Sequence, residues 1–216
     1  MTTINGYAIE TYDTIILYEK APLIIDGDLE DWNILKLKDI PILNPIISKN
    51  YLPPQSPYDL SASFSCFADP DNIYVSIKVV DNKICIGNHE YGLGWNDDSI
   101  EINYDGDLKD TSKHNYDSND GLIRVTSDKN GVTLIEGSYG IIPPYIWEAR
   151  GVRAGFKKYD SGYQIEVMIP IRILEWSDIY LNKRMGMNIR VFDSDNDKGA
   201  SDHGLSWSID SQNISF

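Results

Sequence analysis

The chain has 216 residues, room for one large domain or two small ones, and a chain of that length buries about 70% of its unfolded surface without needing staples. Its formal net charge is −14, from 33 acidic and 19 basic residues. That balance excludes a phosphate-backbone partner and repels anionic membranes, and it leaves neutral ligands and cations.

The opening, MTTINGYAIE, has neither a basic n-region nor an apolar h-region, so it does not read as a signal peptide. Either the protein is intracellular or a leader has been removed. No window approaches the about 20 apolar residues of a membrane span. In LIIDGDLEDWN (Leu23 to Asn33) an apolar run stops at Asp26-Gly27 and Trp32 follows. This predicts a first strand, a turn, and an indole covering the end of the core. NPIISKNYLPPQSPY reads as a long Pro-rich surface connection.

Period-two alternation then begins. DLSASFSCF places Leu60, Ala62, Phe64 and Cys66 on one face, with Ser61, Ser63 and Ser65 on the other. The turn ADPDN follows, and IYVSIKVV puts Ile73, Val75, Ile77 and Val79 inward, so the two runs predict a hairpin. SIEINYD sets Ile100, Ile102 and Tyr104 against Ser99, Glu101 and Asn103. GLIRVTS and GVTLIEG form a second hairpin across DKNG. ARGVRAGFKKYDSGYQIEVMIP gives two more strands, with Tyr163, Ile165, Val167 and Ile169 inward. MGMNIRVFD turns Met187, Ile189 and Val191 inward, and GLSWSID closes the set. The best helix candidate is a turn or two after Pro170. Cys66 and Cys85 read as free thiols. Nine to eleven short strands with turn signals between them predict a single all-β domain over 1–216. It is an antiparallel β-sandwich of immunoglobulin-like or jelly-roll type with one short helix.

In chain order, LIIDGDLEDW, LSASFSCFADPDNIYVSIKVVDN, WNDDSIEINYD, SGYQIEVMIPIRIL, GMNIRVFDSDND and LSW resemble the motifs of the family 9 carbohydrate-binding modules, which share a DOMON-like β-sandwich. The similarity runs from Leu23 to Trp207. It implies a non-catalytic module that grips an oligosaccharide or polysaccharide between aromatic rings, often with structural calcium. It also implies an extracellular or cell-surface setting, alone or beside a catalytic module in a longer chain. Such modules usually continue past the closing Trp into a strand that supplies a second stacking aromatic. Here SIDSQNISF follows instead, and the second wall of the clamp is not evident.

Trp95 lies in YGLGWNDDS, a Gly-rich polar stretch with little core to enter. The resemblance makes it a sugar-stacking ring. An exposed indole suits the apolar C–H face of a pyranose, although folding back on its own loop is the plain alternative. Glu101, on the polar face six residues later, is suited to accept hydrogen bonds from vicinal hydroxyls. Arg124, Asn188 and Arg190 fall on polar faces of their strands and complete the candidate ligand set, with a simple pairing of Arg124 to Glu101 as the plain alternative. Trp207 matches the closing Trp and reads equally as packing or stacking. Trp147 and Tyr145, beside a Pro-Pro bend, are alternative platforms, while Trp32 and Trp176 read as packing residues. Asp193, Asp195 and Asp197 alternate in DSDNDKG, a pattern that can wrap calcium without being an EF-hand. Asp69 and Asp71 read as turn formers.

Catalysis has little to stand on. His89, His114 and His203 lack zinc spacing, no phosphate cradle follows a strand, and carboxylate pairs are too plentiful among 33 acidic residues to mean anything. Two rivals remain: a DOMON-like haem b site using Met168, Met185, Met187 or His203, and an interaction surface without a small ligand.

Overall fold

The computed structural model describes residues 2–4, 7–9, 13–17, 19–47, 51–89, 93–108, 118–137, 145–179, 183–196 and 201–208. In chain order the strands are β1 (Thr2–Ile4), β2 (Tyr7–Ile9), β3 (Ile15–Ile16), β4 (Ile40–Ile42), β5 (Asn44–Pro45), β6 (Leu60–Ala68) and β7 (Asn72–Asp81). They continue as β8 (Ser99–Asp105), β9 (Asp120–Ser127), β10 (Thr133–Gly137), β11 (Arg153–Tyr159), β12 (Gly162–Pro170), β13 (Gly186–Asp193) and β14 (His203–Ser206). One sheet has the order β10-β9-β8-β13-β14-β5, which we call the ligand-side sheet. The other has the order β11-β12-β7-β6-β3, with β4 added beside β6. β1 and β2 pair with each other. Every pairing between strands is antiparallel except that of β3 with β6.

The hairpins form where turn chemistry predicts them. β6 and β7 pair from Leu60↔Asp81 to Ala68↔Ile73. The β9–β10 turn is held by the Asp128 carboxylate, which accepts from the Asn130 and Val132 amides, both at 2.8 Å. In the β11–β12 turn Gly162 has φ +141, and a Cβ there would sit 1.9 Å from the Val79 carbonyl oxygen. The two sheets close over one apolar interior. Ile100, Ile102, Ile123, Val125, Ile189 and Val191 face Phe64, Val75, Ile77, Ile165 and Val167, as their alternation requires.

Several expectations are corrected. The run before Asp26 is not a strand. It crosses the outer face of the second sheet, and Trp32, in the 3-10 turn Asp31–Leu35, packs there rather than over the end of the core. Its ring meets Phe67 edge-on at 5.1 Å, and Phe67 stacks on Tyr74 at 4.7 Å. The second sheet is therefore covered on its outer face as well, and Ser65 is buried there, donating to the Lys38 carbonyl at 3.2 Å and to Asp39 Oδ1 at 2.9 Å. The segment after Pro170 is a 3-10 turn, Ile171–Leu174, and the α-helix, α1 (Tyr145–Ala149), lies elsewhere. β14 is the last of the described strands, as expected. Asn44–Pro45, from the Pro-rich connection, pairs outside it.

A buried carboxylate explains the Ile-Asp-Gly stretch. Glu166 is fully buried on β12 and accepts from the Asp26 amide at 2.6 Å, the Gly27 amide at 2.8 Å and the Trp32 indole at 2.9 Å. The loop reaches it only because Gly27 (φ +90) lies directly on β11. A Cβ there would meet the Phe156 backbone at 2.6 Å, and one on Gly155 would meet the Gly27 nitrogen at 2.1 Å. Both cysteines are buried free thiols.

Candidate functional site

Alternation leaves the ligand-side sheet with a second face, and its registers line up charged side chains strand by strand. Glu136 on β10 pairs with Arg124 on β9, Arg124 with Glu101 on β8, and Glu101 with Arg190 on β13. Arg190 then pairs with Ser206 on β14, and Ser206 with Asn44 on β5. The result is one row of alternating sign across the sheet. Arg124 donates through Nε to Glu101 Oε1 at 3.0 Å and also through Nη2 to the same oxygen. Glu101 Oε2 lies 3.8 Å from Arg190 Nη1, and Glu136 Oε2 lies 3.5 Å from Arg124 Nη1. Asn188, one side-chain step along β13, accepts from Ser206 Oγ at 3.1 Å and the Ser208 amide at 3.0 Å. Its Nδ2 is buried with no hydrogen-bond partner among the described residues.

Glu101 is only 4% exposed and Arg124 9%. Charged side chains on an open sheet face would be solvated, so neighbouring segments rise around this row. One is the 3-10 turn Gly94–Asn96. Gly94 lets it pack closely. Its amide donates to Glu136 Oε2 at 3.2 Å, and a Cβ there would meet Thr126 Cγ2 at 2.8 Å. Asp97 ties the turn back to the Asn88 and His89 amides and to His89 Nδ1. Trp95 stands on that turn, 40% exposed and outside both apolar clusters, while its carbonyl accepts from Ser201 Oγ at 2.8 Å.

A second aromatic comes from a segment read as plain connection. Tyr51 packs on Phe192, which shares the outward face of β13 with Arg190, at 5.6 Å between ring centroids. Burial, and then the Glu101 carboxylate, push the Tyr51 hydroxyl pKa up, while Arg124 and Arg190 pull it down. That hydroxyl therefore sits in the field of the same row. Tyr51 is placed by its neighbour: Leu52 bridges to His203, and its amide donates to the Asp202 carbonyl at 2.9 Å.

The structure thus brings Trp95, Glu101, Arg124, Asn188 and Arg190 to one face. It does not bring Trp207 there. Trp207 follows inward Leu205 by two positions, turns to the interior, and meets Phe64 edge-on at 5.1 Å, so its place is packing. Trp147 is likewise core, 1% exposed against Tyr104, and not a platform, whereas the Tyr145 side chain lies outside the described residues. Trp176 packs on the core edge and donates to the Gly106 carbonyl at 2.8 Å. The residues of the haem alternative are dispersed. Met168 packs in the outer cluster of the second sheet, and Met185 and Met187 pack against the main core.

At one end of the sandwich the strand termini gather carboxylates. Asp81 closes β7, Asp98 precedes β8 and Asp193 closes β13. Their oxygens lie within 4.8 Å of one another. Asp98 accepts from the Cys85 amide at 2.6 Å and the Ser194 amide at 2.8 Å, which fixes its plane. Asp81 Oδ2 and both Asp193 oxygens are buried without a hydrogen-bond partner among the described residues. Burial, and then Asp81 and Asp195, push the Asp193 carboxyl up to about 8, and burial with Asp81 raises Asp98 strongly. The alternating aspartates are divided between two groups. Asp193 joins Asp81 and Asp98 across both sheets, and Asp195 belongs with Asp59 and His203. Asp197 lies outside the described residues.

Sequence reading missed Asp81, Asp98, Glu136 and Tyr51. A doublet such as Asp97-Asp98 at a strand start was the available signal. Tyr51 carried none, because its partners come from strands distant in sequence.

Against known proteins, the sequence matches the family described as carbohydrate family 9 binding domain-like over residues 26–216. The fold is similar to a family 9 carbohydrate-binding module from Caldicellulosiruptor kristjanssonii solved with cellotriose. Identity is 18% and the TM-score 0.62, covering 90% of this chain and 83% of that one. A structure of a family 9 module from the same organism with glucose gives 18% identity and a TM-score of 0.61, covering 89% and 84%. No curated protein matches in sequence. At this identity the structural likeness speaks to the fold.

Proposed function

The chain belongs to the carbohydrate family 9 binding domain-like family, and from that premise we propose that its charged sheet face binds an oligosaccharide without cleaving it. The carrying observation is one arrangement: an indole 40% exposed at the end of a buried Glu–Arg row, beside an Asn188 amide with an unused donor. Trp95 offers the apolar face of a sugar a flat platform. The row and Asn188 supply acceptors and donors for its hydroxyls, with Tyr51, packed on Phe192, as the second ring. The relatives were solved with cellotriose and with glucose, so β-linked glucose oligomers are the first ligands to test. Calorimetric titration is expected to give a Kd between about 1 μM and 1 mM. Absence of heat with cellotriose, glucose and a broad glycan panel would end the reading.

We also propose that Asp81, Asp98 and Asp193 hold calcium. Three buried carboxylates, two of them with orphaned oxygens among the described residues, fit a hard cation. Bound there, the ion would offset most of the cluster's charge and join strand ends of both sheets. EDTA should lower the melting temperature and calcium restore it, and no shift would count against the ion. A glycan ligand places the module at the cell surface or outside the cell, alone or beside a catalytic module. Among the described residues no helix is long and apolar enough to cross a membrane.

A further inference from the structure

Beside the all-carboxylate group lies a second cluster of different chemistry: Asp59, just before β6, Asp195, just after β13, and His203, the first residue of β14. Their donor atoms also lie within 4.8 Å of one another. Acidic residues alone would say little. The imidazole says more.

His203 is 4% exposed. Its Nδ1 lies 2.9 Å from the Leu52 carbonyl oxygen, which has no proton to give, so Nδ1 carries the hydrogen. In the neutral ring Nε2 is then a bare lone pair. Among the described residues it makes no hydrogen bond, and it lies 3.9 Å from Asp59 Oδ2 and 3.8 Å from Asp195 Oδ2. Three potential ligand atoms thus converge. A cation between them would engage all three.

The surroundings fit the same reading. A metal-binding histidine usually donates its other nitrogen to a carbonyl or carboxylate, as His203 does to Leu52. Asp59 is oriented by the Gln55 amide on Oδ2 at 2.6 Å and by Asn82 Nδ2 on Oδ1 at 3.0 Å. Lys83 Nζ is engaged by the Asp195 carbonyl. Donors bound to zinc at about 2.1 Å stand about 3.4 Å apart, and the two distances from His203, 3.9 and 3.8 Å, lie about half an ångström above that.

We infer that Asp59, Asp195 and His203 form a site for a first-row divalent cation of zinc type, distinct from the all-oxygen group. The nitrogen ligand sets the preference, since imidazole favours zinc, cobalt or nickel over calcium. Three protein ligands leave a position for water or a further donor. The site also bears on the sugar face, because the carbonyl that positions His203 belongs to Leu52, next to Tyr51. The inference does not depend on the carbohydrate reading.

The test uses the whole protein, stripped with chelator, dialysed, and held in excess calcium. Cobalt(II) is titrated and followed by its visible absorption, and zinc is titrated by calorimetry. A single equivalent of cobalt should bind with a visible band that zinc removes. His203→Gln should abolish the band and weaken zinc binding roughly 100-fold or more. Asp195→Asn, at a half-exposed position that the fold does not need, should do the same and guards against a misfolded His203 variant. Failure to bind cobalt or zinc in the presence of calcium would overturn the site. So would a band unchanged in both variants.

Discussion

Arg124 directs two of its nitrogens at a single oxygen of Glu101, Oε1, and leaves Oε2 turned toward Arg190 at 3.8 Å. The pair is buried, so it is costly to break from one side. Glu101→Gln should lower stability by about 3 kcal/mol, because Arg124 and Arg190 lose their shared counter-charge. It should also weaken cellotriose binding at least about tenfold. The double variant Glu101→Gln, Arg124→Met should recover part of the stability, since removing both charges leaves less uncompensated, but none of the binding. Denaturant unfolding and calorimetry on the three proteins check this. Recovery of binding in the double variant would show the pair to be structural only.

Trp95→Ala should separate the two readouts the other way. The ring lies outside both apolar clusters, so stability should change by no more than about 0.5 kcal/mol. Cellotriose binding should fall below detection. Tyr51→Ala should weaken binding with a modest stability loss from the Phe192 contact, and Tyr51→Phe should keep much of the affinity if the ring face matters more than the hydroxyl. A Trp95→Ala protein with wild-type affinity would remove the platform.

The β-sandwich was legible because Ile100, Ile102, Val75 and Ile77 alternate with polar neighbours, and a one-residue slip would turn them outward. The outer apolar layer was not. Phe67 and Tyr74 break the alternation, and what covers them, Trp32 and its loop, is distant in sequence. The same limit applied to the site. Glu101, Arg124 and Arg190 could each be placed on a polar face. Their meeting in one row depends on strand order, which period-two patterning does not encode. Asp193 was legible as a ligand type, yet its partners Asp81 and Asp98 come from strand ends on both sheets.

Gly27→Ala should be among the most damaging single methyl additions. The position has φ +90, and the new Cβ would meet backbone atoms of Phe156 and Lys157 at 2.6–2.7 Å, where no side chain can yield. The loop must lift, and Glu166 then loses amides it accepts from while remaining buried. A loss of about 3 kcal/mol or more is expected, with the Trp32 fluorescence environment changed. Gly131→Ala has only backbone strain to bear, since nothing lies within 4 Å of its Cβ, and should cost about 1 kcal/mol.

Asp69 carries the clearest pH dependence. It is fully buried at the β6–β7 turn, and burial by itself would push its pKa up. Donors outweigh that. Oδ2 accepts from the Ala21 amide at 3.0 Å and the Tyr74 hydroxyl at 2.7 Å, and Oδ1 from the Asp71 and Asn72 amides at 2.9 and 2.8 Å. The net effect holds the carboxyl below its ordinary value. A carboxylate depressed in the folded state stabilises the protein above the unfolded pKa, about 3.9, and that contribution fades as pH falls through the folded value. Asp69→Asn keeps the acceptor at Oδ1 but turns a donor toward Ala21 and Tyr74, which should cost about 2–4 kcal/mol at neutral pH. In acid the wild type protonates and loses its advantage, so the gap between the two proteins should narrow below about pH 4. Urea unfolding of both at pH 7 and pH 3 measures it. An equal gap at the two pH values would mean that the native carboxyl is not held ionised, and the turn would then owe its stability to shape rather than charge.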